Sequence, residues 1–221
     1  MHRKRLLQYV LSVFLLILPL PLVAGGDWQK EQVDVEKDIV VYTRSVKDSS
    51  YKECRGETML TTSLGALVNL IADTDSFPEW MHNVKSAKVL KQISSTERLT
   101  YTAQDTPWPI SDRDTVVYSR LYQDPETKQI TIEMQARPDA YPEQEGYVRI
   151  PVMKSKWELT PKADQSVEVV YQLLADPGGR LPARVANAYA AKMPLNSLRG
   201  LHRMIEKPQY RDVRMDIISE P

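Results

Sequence analysis

Three histidines, a single cysteine and a handful of neighbouring carboxylates are the groups in this 221-residue chain that could make or break bonds. Their spacing forms no reactive set. His2 lies in the extreme N-terminal segment, and His82 and His202 are far apart, neither with a metal-ligand spacing. There is no Gly-x-Ser-x-Gly elbow and no glycine-rich phosphate loop. Asp73, Asp75 and Glu79 are close in sequence, but carboxylates there suit the solvated start of a short helix. Cys54 stands alone, which excludes an intrachain disulfide. Its strand-like surroundings read as the place of a small buried hydrophobe. The expectation is a protein that is not an enzyme and holds no metal or cofactor.

The charged groups of interest are Arg113, Asp114 and Arg149. Adjacent residues on a strand point to opposite faces, so Arg113 and Asp114 do not simply pair. Arg113 shares its face with Thr115, Val117 and Ser119. A buried guanidinium needs an acceptor, either a protein carboxylate or the head of a ligand.

The elements that must position these groups are mostly strands. Gln29–Glu36 and Ile39–Ser45 suit a hairpin, and Tyr51–Thr62 alternates around Cys54, Gly56, Thr58 and Leu60. Leu64, Leu67, Val68 and Ile71 then fall at helical spacing behind a capping Ser63. Strand patterns follow over 84–92, 98–104, 113–122, 129–137, 146–160 and 166–176, separated by turn-forming compositions. So many consecutive strands exclude a parallel α/β fold and suit a curved antiparallel sheet. The last element is an amphipathic helix through Leu181, Val185, Tyr189, Met193, Leu198, Leu201 and Ile205. Pro182 suits its start, and Pro194 predicts a kink or restart near Met193. From Lys207 onward the chain reads as a polar, loosely held tail over 208–221.

The N-terminus has a basic stretch at Arg3-Lys4-Arg5, an uncharged apolar run, Pro19 and Pro21, and small residues at Ala24, Gly25 and Gly26. That is the order of a secretory signal peptide, residues 1–26, cleaved after Ala24 or Gly26. The alternative is an uncleaved anchor, since the stretch is long enough to span a bilayer. Removing it leaves 26 basic against 29 acidic residues. That balance disfavours a nucleic-acid partner, which needs a basic surplus. Export without disulfides points to a bacterial periplasm.

Several motifs in one order resemble the START lipid-binding domains. They are Glu79-Trp80-Met81, Trp108-Pro109-Ile110-Ser111-Asp112-Arg113-Asp114 and Pro142-Glu143-Gln144 with Gly146 and Arg149. Asp176-Pro177-Gly178-Gly179-Arg180-Leu181-Pro182-Ala183 follows, with Asn187, Pro194, Leu198 and Leu201. The resemblance covers residues 28–206. It implies an α+β helix-grip fold over 27–207: a curved antiparallel sheet around a long C-terminal helix with an internal hydrophobic cavity. It places Arg113 and Arg149 at the polar end of that cavity, beside Val117 and Ser119. Met134, Trp157, Tyr171, Val185 and Tyr189 have the character of cavity walls, though side chains of this kind are more often plain core. Leu181 and Trp108 fall in the gate, and Trp108 suits either a membrane interface or packing against the lid. Cholesterol-binding members carry a glutamate and an arginine on facing cavity strands. Those positions read Thr100 and Ser119, which disfavours a sterol.

The implied function is a monomeric carrier of a lipid or other hydrophobic molecule, in transient contact with a membrane surface. Hydrating a sixteen-carbon chain costs on the order of 12 kcal/mol, which a cavity must offset without preventing release. A helix-grip enzyme such as a polyketide cyclase, or a periplasmic interaction module with a vestigial cavity, are the alternatives. The first requires acids and bases in the cavity, the second bulky side chains filling it.

Overall fold

The alternating patterns assemble into one ten-stranded sheet in the computed structural model, which describes residues 26–211 and 213–221. The expected signal peptide lies, apart from Gly26, outside the described residues. The strands are β1 (Gln29–Asp34), β2 (Ile39–Ser45), β3 (Lys52–Thr61), β4 (Val84–Gln92), β5 (Glu97–Gln104), β6 (Asp112–Gln123), β7 (Ile130–Ala136), β8 (Tyr147–Arg149), β9 (Val152–Pro161) and β10 (Ser166–Asp176). Their order across the sheet is β1-β2-β3-β10-β9-β7-β6-β5-β4, with every neighbouring pair antiparallel.

The expected single strand over 146–160 is two. Pro151 has no amide hydrogen to offer a ladder, and the chain changes pairing partners there, from β6 to β7 and β10. β8 runs parallel to β6 along Asp112–Asp114, in the position that β7 occupies farther along β6.

α1 (Leu64–Ala72) connects β3 to a single 3-10 turn and the short α2 (Phe77–Trp80). As its composition predicts, Ser63 caps α1 by accepting from the Ala66 amide at 3.1 Å. Leu64, Leu67, Leu70 and Ile71 are buried against the sheet and the C-terminal helix.

The C-terminal helix is not one rod. α3 (Ala183–Tyr189) ends at Ala190, and α4 (Lys192–Ile205) starts two residues later with Pro194 in its first turn. A proline there removes an amide that has no intrahelical partner, so it restarts the helix without penalty. α4 buries Leu195, Leu198, Leu201, Met204 and Ile205, whereas α3 has no fully buried residue. α4 approaches so closely that a Cβ on Gly56 of β3 would meet Leu198 Cδ1 at 2.7 Å and Pro194 Cβ at 2.9 Å.

The tail corrects another expectation. Tyr210 and Ile218 are buried in the main core. Glu220 accepts from the amides of Leu64 and Gly65 at 3.1 and 2.8 Å, so a carboxylate caps the positive end of α1. Ser219 and Gln123 exchange two further hydrogen bonds. A short polar segment therefore returns across the domain to brace α1, a result of tertiary placement that its own pattern does not show.

Candidate functional site: an apolar cavity between sheet and helices

Strand register arranges the cavity in rungs. The lowest runs through Ile132, Trp157, Tyr171 and Gly56 on β7, β9, β10 and β3. Trp157 and Tyr171 stack with ring centroids 4.0 Å apart and planes 9° from parallel, and Trp80 meets Trp157 edge-on at 6.1 Å. The Trp80 indole N–H is satisfied by Ser76 Oγ at 3.2 Å. These aromatics form a floor continuous with the core below.

The next rung crosses six strands as Arg98, Ser119, Met134, Ser155, Leu173 and Cys54. All six line the cavity. Above it stand Val117 and the pair Met153–Ala175, and near the mouth Gln104 faces Arg113. The mouth is framed by the loop through Pro107–Ile110, by Pro177 and by Leu181, Val185 and Tyr189 of the lid. The cavity volume is about 470 Å³, within the range of small-molecule sites.

The structure thus brings Arg113, Val117, Ser119, Met134, Trp157, Tyr171, Leu181, Val185 and Tyr189 to one cavity, with Trp108 on its rim. It separates Arg149 from them. Arg149 stands opposite Asp114 in the parallel β6–β8 register, and strand parity turns Asp114 away from the cavity. The Arg149 Nε and Nη2 donate to the two Asp114 carboxylate oxygens at 2.8 and 2.9 Å. Expected at the polar end of the cavity, Arg149 is instead a brace on the outer face.

Arg113 does face the cavity, and its acceptors are backbone carbonyls. It donates to Ser111, at the end of the Trp108 loop, and at 3.4 Å to Pro177, at the turn into the lid. That turn requires glycine. Gly178 has φ +67°, and a Cβ there would meet the Arg149 carbonyl at 2.9 Å. Asn187 pins the lid to β3: its Oδ1 accepts from the Lys52 amide at 2.8 Å and its Nδ2 donates to the Ser50 carbonyl at 3.0 Å. Of the two readings of Trp108, packing against the lid is not what the structure has: the side chain is 92 % exposed.

Several cavity residues were not singled out as site residues from sequence, His82, Cys54 and Arg98 among them. His82, on the loop between α2 and β4, reaches the rim, where its Nδ1 accepts from Asn196 Nδ2 at 3.2 Å. Burial and then the nearby Lys192 hold its pKa below the ordinary value, so it stays neutral. Cys54 faces the cavity with its thiol donating to the Leu173 carbonyl at 3.4 Å, and burial pushes that thiol up to about 12. Arg98 donates to the carbonyls of Ile71 and Ala72 at the end of α1. Its strand parity with Thr100 and Thr102 was the signal that could have found it. Thr100 and Ser155 both line the cavity, and their hydroxyls have no hydrogen-bond partner among the described residues.

A curved sheet gripping a C-terminal helix over an apolar cavity defines a helix-grip ligand-binding protein. The START domain model matches residues 17–207, and the chain belongs to that family. A crystal structure of a STAR-related lipid transfer protein from Xanthomonas axonopodis is 35 % identical and superposes with a TM-score of 0.75, covering 81 % of this chain and 99 % of that one. An uncharacterised protein of Pseudomonas aeruginosa is 34 % identical over 189 residues, 84 % of this chain and 92 % of that protein. The mouse phosphatidylcholine transfer protein is 25 % identical over 178 residues, 78 % of this chain and 80 % of that protein. These relationships establish a fold built to hold a hydrophobic ligand.

Proposed function

We propose that the protein is an exported, monomeric carrier that takes a lipid from one membrane, shields it and releases it at another. The observation that carries this reading is the cavity of about 470 Å³ above the Trp157–Tyr171 floor. Unfilled apolar space sealed inside a core costs about 24 cal/mol per Å³, so a void of this size closed off from solvent would forfeit up to about 10 kcal/mol of packing. Net stabilities are about 5–15 kcal/mol. A cavity that large therefore favours an occupant over a vestigial pocket.

The titratable groups of the cavity support carriage over catalysis. The Cys54 thiol is held protonated, and neutral His82 is engaged with Asn196. Neither stands in an ion pair with a carboxylate among the described residues. Loading and release would proceed through the mouth, by displacement of α3 and the Trp108 loop at a membrane surface. Gating motions of this kind take microseconds to milliseconds. Export would rest on the N-terminal segment 1–26, with the bacterial periplasm as the destination.

The test is twofold. Lipids recovered from protein purified from its native host are identified by mass spectrometry, and tryptophan fluorescence is followed during titration with phospholipid vesicles. Recovery of a lipid together with a spectral change supports the carrier. Protein that arrives empty and gives no change in fluorescence refutes it.

A further inference from the structure

Among the charged side chains that line the cavity, Lys52 is neutralised by Glu31 at 3.2 Å and Asp105 by Lys85 at 3.3 Å. The other two are Arg98 and Arg113, and among the described residues neither forms an ion pair with a carboxylate. The surplus charge facing this apolar space is therefore positive at both ends. Gln104, the register partner of Arg113, lies six positions along β5 from Arg98. At about 3.3 Å per residue the backbone positions of the two arginines lie on the order of 20 Å apart along the strands, roughly the reach of a long acyl chain.

The two ends differ. Arg113 stands at the mouth, tied to the loop and the lid turn. Arg98 stands on the rung directly above the aromatic floor, beside Ser119 and two residues from Thr100 on the same face. Its acceptors are two carbonyls at the C-terminus of α1, which has no basic residue of its own in its last turn. A helix terminus supplies only about half an elementary charge of compensation. A guanidinium has five donors, and those two bonds leave others available. The Asp73 carboxylate at the same helix end adds Coulombic compensation without forming an ion pair, and Arg98 is half-buried. A partly desolvated cation with incomplete compensation is still costly, and a bound anion lowers that cost.

We propose that the closed end of the cavity is an anion site: Arg98, with the hydroxyls of Thr100 and Ser119 beside it, receives the carboxylate or phosphate of an anionic amphiphile whose apolar chain runs toward the mouth. This rests on the carrier reading and assigns the chemical class of its cargo. Cargo enters head first, and a neutral molecule of the same chain length leaves Arg98 incompletely compensated.

The test compares chain-matched probes by calorimetry on the full-length mature protein. Palmitate is set against its methyl ester, and a palmitoyl lysophosphatidate against the corresponding monoacylglycerol. The wild type is expected to favour each acid over its neutral partner by about tenfold or more, the effect of one hydrogen-bonded charge. Arg98→Gln is expected to abolish that preference while neutral probes still bind, and Arg98→Lys to keep part of it. Tighter binding of lysophosphatidate would identify a phospholipid head, and tighter binding of palmitate a free fatty acid; either supports the site. Equal affinity for acid and neutral probes in the wild type overturns it, as does a preference kept with Arg98→Gln. If Arg98→Gln does not fold, the wild-type and Arg98→Lys comparisons decide alone. Binding of none of the four probes removes the carrier reading itself, whereas binding without discrimination removes only the anion site.

Discussion

Asp114 and Arg149 meet across the parallel pair β6–β8 in a two-point ion pair, with side chains 1 % and 7 % exposed. The same guanidinium also donates to the carbonyls of Pro138, Tyr141 and Pro142. It thereby fastens the segment after β7 over the outer face of β5 and β6, where Tyr101, Ala103 and Val116 form a second small core with Tyr141 and Tyr147. Burial and the Asp114 carboxylate push the Tyr101 phenol up to about 12, as expected of a group shut inside that cover.

Removing one partner leaves an uncompensated buried charge. Asp114→Asn and Arg149→Met are each expected to cost about 3–5 kcal/mol in urea unfolding. Because the pair faces away from the cavity, the folded fraction of either variant should bind lipid with wild-type affinity. A loss of affinity at full folding would return Arg149 to the binding site.

Asn187 gives a prediction of opposite character. Its two hydrogen bonds to the start of β3 hold a helix that buries no side chain fully. Asn187→Ala should cost about 1–2 kcal/mol locally, little of it felt by α4 and the core. Lipid exchange between donor and acceptor vesicles should therefore speed up while the thermal midpoint hardly moves. Unchanged exchange kinetics would show that α3 is not the gate.

The contrast between Arg113 and Arg149 shows what a sequence reading can reach. Arg113 belongs to a long strand of regular alternation, so its face follows from parity. Arg149 follows Gly146 in a three-residue strand, ended by Pro151, whose partner is distant in sequence and parallel in direction. No local period encodes that pairing. The tail fails for a similar reason: Tyr210, Ile218 and Glu220 lie in a short stretch where charged and apolar residues alternate, and each acts through an element far away in the chain. The division of the last helix was half legible. Pro194 announced a restart, but the break itself sits at Ala190 and Ala191. Arg98 was in plain view by parity and escaped because its backbone acceptors appear only when α1 is folded over it.

Trp108 projects from its loop almost wholly exposed, flanked by Pro107 and Pro109 and closed by the Thr106 amide donating to Asp112 at 2.9 Å. Half-burying a tryptophan in a bilayer interface removes about 100 Å² from water, worth roughly 2 kcal/mol. Trp108→Ala should weaken vesicle association by about thirtyfold and slow lipid transfer, while stability in solution stays within about 0.5 kcal/mol of wild type. Equal vesicle association by sedimentation would exclude this loop as the contact.

His82 sets a pH dependence. Burial, and then Lys192, hold its folded pKa below the ordinary value, while the unfolded chain takes up a proton near about 6.5. Below that pH the unfolded state binds more protons, so stability falls as pH falls. Protonation at Nδ1 also ends the bond from Asn196, which can only donate there. His202, likewise lowered by burial, acts in the same sense. The thermal midpoint should drop between pH 7 and pH 5, by about 2–4 °C for each kcal/mol lost. His82→Gln should remove part of that slope and leave the His202 share. A slope identical in variant and wild type would place the titration elsewhere.

Ser155 offers the test that separates a filled cavity from a packed core. It sits between Met134 and Leu173 on the second rung, nearly inaccessible, with a hydroxyl that has no partner among the described residues. In a packed core, Ser155→Leu would force its neighbours apart and destabilise the protein by about 1–3 kcal/mol. Bordering open space, the same change removes an unsatisfied polar group and fills volume, for a gain of about 1–2 kcal/mol in the lipid-free protein. The leucine then occupies the space a ligand would use, so lipid affinity must fall as stability rises. Urea unfolding and lipid binding measured on one preparation read both signs together. Opposed changes are what a carrier's cavity requires; a destabilised variant that binds lipid normally would mean the open space does not reach this rung.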